Sequence, residues 1–172
     1  MQDSLWSWLQ QCLLQRAPQD DPVSFQALIL ALSGYVLIDL VQASASSGMA
    51  VSLGMTLLDT LLMAVFAWVV LRVTAKTRRF VQTLTSLAGT GMMLGLVALP
   101  LVQMAARAHR NDEPMTDLVL GWLVLLVWGI TVQAHIFRHA LSVRYGIGLM
   151  LAGLHTVLAI GLIETLFPQA QG

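Results

Sequence analysis

Five stretches of this chain stay apolar for about the length that a helix needs to cross a bilayer. They run near 24–43, 49–71, 80–103, 118–137 and 146–167, with polar residues gathered in short turns between them. Barrel strands would be half as long and would alternate polar with apolar, which these do not. The pattern predicts an all-α integral membrane bundle of five helices. The third stretch, FVQTLTSLAGTGMMLGLVALPLVQ, reads as its central helix.

Ahead of the first span the period changes. Leu5, Trp8, Leu9 and Cys12 follow helical spacing, and Trp6 and Leu13 widen the stripe. Ser4, Ser7, Gln10, Gln11 and Gln15 take the other face. This predicts a short amphipathic helix, either docked on membrane or partner, or packed over one end of the bundle. The Pro- and Asp-rich stretch APQDDP then separates residues 1–22 from a transmembrane domain, 23–172. No cleaved signal peptide is recognisable, so the first span is expected to direct its own insertion.

Composition agrees. Hydrophobic residues make up 57% and charged residues 10%, against about 45–50% and about 25% in soluble domains. Nine basic residues balance nine acidic ones, so no basic patch points to nucleic acid. One cysteine excludes an intrachain disulfide. The distribution of cations is more informative than their sum. Arg16, Arg72, Lys76, Arg78, Arg79, Arg138 and Arg144 fall on one side of the spans. Arg107 and Arg110 fall on the other, with Asp112, Glu113 and Asp117. The positive-inside bias predicts a cytoplasmic N-terminus and an outer C-terminus; the lean chain looks bacterial, which predicts a cell inner membrane with that C-terminus in the periplasm.

Candidate chemistry lies where polar side chains enter the spans. Asp59 and His155 fall near mid-depth of the second and fifth spans, at similar distances from the basic side. If those helices are neighbours, the two form an intramembrane polar pair: a proton-titrating couple or a structural tie. Asp39, one turn from Tyr35, and Glu164 sit closer to span ends, where water explains them. His135 and His139 share a helix face, but no acid or cysteine nearby completes a metal set, and an interfacial anchor is the simpler reading.

Small residues suggest how the helices meet. Gly91 and Gly95 form a close-packing motif in the third span, and Gly148 and Ala152 offer a similar face in the fifth. These serve packing within the chain or pairing of two copies. Thr83, Thr85 and Thr90 can bond their own backbone, and Pro100 interrupts it. Hydrolase, metalloprotease and phosphate-loop motifs are missing, and no cofactor is implied.

The layout across residues 24–167, with the polar, Gly-bearing QTLTSLAGTG of the third span, resembles the Yip family of small five-span membrane proteins. The N-terminal segment is far shorter than in the family's eukaryotic members. The resemblance implies five helices joined by short turns, an outer C-terminus and a non-enzymatic role. It assigns no site residue. Two functions are expected: a scaffold or accessory subunit touching a membrane-protein partner or a second copy, and a small ion or proton transport protein using Asp59 and His155.

Overall fold

The computed structural model describes residues 2–111 and 116–168; the side chains of the acidic cluster Asp112, Glu113 and Asp117 lie outside what it describes. Among these residues every regular element is helical. α1 (Gln2–Cys12) precedes five long helices: α2 (Phe25–Ala43), α3 (Met49–Val73), α4 (Phe80–Arg110), α5 (Thr116–Leu141) and α6 (Tyr145–Leu166). All five are long and apolar enough to cross a membrane. Their outward side chains include Ile29, Leu57, Leu61, Leu120, Val127, Met150 and Val157, all exposed. Lipid solvates such a surface and water does not. The chain is an all-α, multi-pass membrane bundle.

α4 touches α1, α2, α3 and α5, and it packs most extensively on α2. α5 pairs with α6, and α3 joins the halves by meeting α2, α4 and α6. Glycine sets two of these approaches. A methyl group on Gly91 would lie 2.7 Å from Tyr35 Cε2, and one on Gly95 would lie 2.7 Å from Ile38 Cγ2. Only glycine lets α2 come this close to α4. Gly148 is tighter still: its methyl would fall 2.5 Å from the Ala134 carbonyl oxygen of α5, where backbone cannot yield. Ala152, one turn on, is buried in the core.

Both α4 and α5 outrun the apolar stretches that announce them. α4 continues to Arg110 and α5 to Leu141, because residues such as Ala105, Ala106 and Ala108 favour helix whether or not lipid surrounds them. Pro100 sits inside α4 and leaves the Leu96 carbonyl without its usual donor.

The basic turns are built into the fold. Lys76 donates to the Leu141 carbonyl, and Arg79 Nη1 donates to the carbonyls of His139 and Ala140 at 3.1 and 3.0 Å. These are among the last carbonyls of α5, where the intrahelical donors run out. Cations at the negative end of the helix dipole also gain electrostatically. Arg72 and Arg78 remain exposed.

α1 lies along the flank of α4 and α5. Trp8, 1% exposed, fills the space above Gly89. Cys12 Sγ reaches the Thr90 carbonyl at 3.8 Å, and Trp128 Nε1 donates to the Cys12 carbonyl at 2.9 Å. Thr90 is about 15 Å along α4, so α1 is set into the bundle wall and not laid over its end. The expected apolar stripe is split. Leu5, Trp6, Leu9 and Leu13 face outward, while polar Ser7 and Gln11 are buried with Trp8 and Cys12. Ser7 and Gln11 both donate to Asp21, which also pairs with Arg16 at 2.8 Å. Amphipathicity is thus inverted because the outer solvent is hydrocarbon.

Candidate functional site

Most of the polar span residues singled out by sequence, Glu164 excepted, turn toward other helices of the bundle. On α2, Tyr35, Asp39 and Gln42 stand four and three residues apart and share one face. On α3, Ser52, Thr56, Asp59 and Thr60 do the same. Gln133 comes from α5 and His155 from α6. Four helices therefore bring polar groups inward against α4, although none is polar on average.

The groups from α2, α5 and α6 border a cavity of about 230 Å³, to which α3 contributes only Met63. Its polar lining is Tyr35, Asp39, Gln42, Gln133 and His155. Ile38, Met63, Leu87 and Leu94 supply the apolar part, and Gly91 and Gly95 leave room for it on α4. Gln42 is in the last turn of α2, so the cavity extends toward the end of the bundle opposite the basic turns.

The hydrogen bonds sort the polar groups into pairs. Tyr35 donates its phenol to Asp59 Oδ2. His155 Nδ1 meets Gln133 Oε1 at 3.2 Å. Nε2 has no partner, although His155 is only 7% exposed. Its ring rests 5.1 Å from that of Phe66. Gln42 Nε2 donates to the Gly95 carbonyl at 3.0 Å, which leaves Gln42 Oε1 free of that bond. Thr56, 1% exposed, approaches Asp39 from α3 without closing an ordinary hydrogen bond. The Thr60 hydroxyl is likewise buried and unpaired.

Asp59 and His155 thus lie on helices that touch, α3 and α6, but each bonds a different residue. The tie runs Tyr35–Asp59 between α2 and α3, and Gln133–His155 between α5 and α6. Asp39 lines the cavity, whereas Glu164 is exposed. The His135 and His139 rings stand 4.5 Å apart, and His135 Nε2 meets the Arg16 carbonyl at 3.1 Å, securing the linker. Among the described residues, no three His, Cys, Asp or Glu side chains gather as a metal set.

Gln42, Gln133 and Thr56 escape a reading that weighs only charges. A signal for them exists: an amide inside a span such as LLVWGITVQAHIF costs free energy unless it is bonded. No protein-family model, curated protein or solved structure matches this chain.

Proposed function

We propose that this protein is a small, non-enzymatic inner-membrane transporter that passes protons or small ions through the polar cavity of its bundle. The observation that carries the reading is that cavity: an acid, a phenol, two amides and a histidine contributed by three helices around one space. Ionisable groups at this depth are costly, and they ordinarily face protein or a water-filled pathway. A purely structural tie needs one satisfied pair. Here a phenol, an acid, two amides and an imidazole border one volume, with Asp59 held behind the phenol. The orientation goes with it: basic turns in the cytoplasm, and the cavity's end of α2 toward the periplasm. The Yip-like layout belongs to this reading for its architecture, not for its chemistry.

The test is reconstitution of the full chain in liposomes, with proton and cation flux measured under an imposed potential. Flux above that of empty liposomes supports the reading. Liposomes no leakier than empty ones, together with a stoichiometric partner recovered by gentle-detergent pull-down from native membranes, would favour the accessory-subunit role instead.

A further inference from the structure

We propose that the cavity binds a small organic cation carrying a protonated amine. This narrows the transport reading and rests on it for movement across the membrane, though not for binding itself.

Charge selects a cation. The ionisable groups here are Asp39 and His155 on the lining and Asp59 behind Tyr35; no Lys or Arg lines the space. Among the described residues, the Arg16–Asp21 ion pair lies elsewhere, beside α1. A carboxyl out of water either keeps its proton or ionises beside a partner of opposite sign. A cation supplies it and an anion does not.

Hydrogen-bond polarity narrows the class. Acceptors face the space: Asp39 offers carboxylate oxygens, and Gln42, whose amide nitrogen bonds the Gly95 carbonyl, offers its Oε1. An ammonium group is all donors and no acceptor. A quaternary ammonium or a bare metal ion has no N–H to offer these oxygens.

Size and apolarity narrow it again. The cavity of about 230 Å³ is several times the roughly 30 Å³ that one water takes in the liquid. A dehydrated alkali ion would leave most of it unfilled. A hydrated one would press its water shell on Ile38, Met63, Leu87 and Leu94. An alkyl chain suits those side chains, and the Tyr35 ring offers a face to the charge.

The test uses calorimetric titration of the detergent-purified full chain with propylammonium chloride. Sodium chloride, sodium propionate and tetramethylammonium chloride serve as controls. Propylammonium should bind saturably, and propionate should not. Sodium and tetramethylammonium should bind more weakly, for want of N–H donors. Asp39→Asn should weaken propylammonium by about tenfold or more, the scale of losing a charged partner. If that variant fails to fold, His155→Gln is the second variant, expected to weaken binding in the same direction. No saturable propylammonium binding by the folded wild type would overturn the proposal. So would binding matched by sodium, or binding unchanged in both variants. Binding without proton, cation or amine flux in liposomes would keep this site and remove the transport reading; flux without binding would do the reverse.

Discussion

Tyr35 and Asp59 meet across α2 and α3 in a setting where neither has water to fall back on. Replacing Tyr35 by Phe removes the donor and leaves the carboxylate alone. A loss of about 1.5–3 kcal/mol is expected for a hydrogen bond to a charged group, read as a lower unfolding midpoint in detergent; an unchanged midpoint would show the bond to be idle. Glycines allow a sharper comparison. Gly148→Ala places a methyl against the Ala134 carbonyl, whereas Gly153→Ala meets nothing within 4 Å. The first should destabilise by about 1–3 kcal/mol, the range for overpacking. The second should be neutral or slightly stabilising, since alanine is the better helix former. Equal midpoints for the two would contradict the packing described for α5 and α6. At this scale the sequence is only partly legible. The cost of burying Asp59 and His155 marks them in any apolar span, but their partners Tyr35 and Gln133 depend on how α2, α3, α5 and α6 are rotated, which a single sequence leaves open.

α1, α3 and α5 end alike. Leu14, Ala75 and Ser142 all take left-handed backbone, with φ of 61°, 57° and 51°. In each case the next amide reaches back to close the helix: Gln15 to Gln10, Lys76 to Leu71 and Val143 to Arg138. Glycine usually fills this position, and a side chain there costs roughly 1–2 kcal/mol. Ala75→Gly should therefore stabilise by about 1 kcal/mol, with a raised melting temperature as the readout. α1 makes a different forecast. Burial pushes the Cys12 thiol up from 9.0 to about 11. At pH 8 only about a thousandth is thiolate, so maleimide labelling should be very slow while α1 is seated and fast once the chain unfolds. Stability shifts in the same sense: below pH 9 both states keep the proton, and between 9 and 11 only the folded state does, so this contribution is lost as pH rises. Rapid labelling of the folded protein at pH 8 would mean that α1 leaves the α4–α5 flank. Five spans are legible because hydropathy reports hydrocarbon. Helix ends are less so, because α4 and α5 continue past it. The α1 period is visible in the sequence, but its phase is not: Leu5 and Trp6 look like inward residues until the outer solvent is known to be lipid.

The whole molecule is a bundle whose outside is apolar and whose interior holds acceptors, the reverse of a soluble domain. That inversion, with the cations collected at one end, should set the orientation on insertion. A periplasmic reporter fused after Gly172 should be active, and a silent but stable fusion would reverse the topology. The central claim is that the interior conducts. Its most direct measurement is internal pH in dye-loaded proteoliposomes under an inward-driving potential, comparing wild type with Asp39→Asn and Asp59→Asn. A conducting interior predicts acidification by the wild type, and a fall of about tenfold or more in variants that keep a cooperative melt, since one removes the titratable carboxyl on the cavity and the other the carboxyl behind Tyr35. Acidification equal in all three preparations, or absent from the wild type beyond that of empty liposomes, would contradict it.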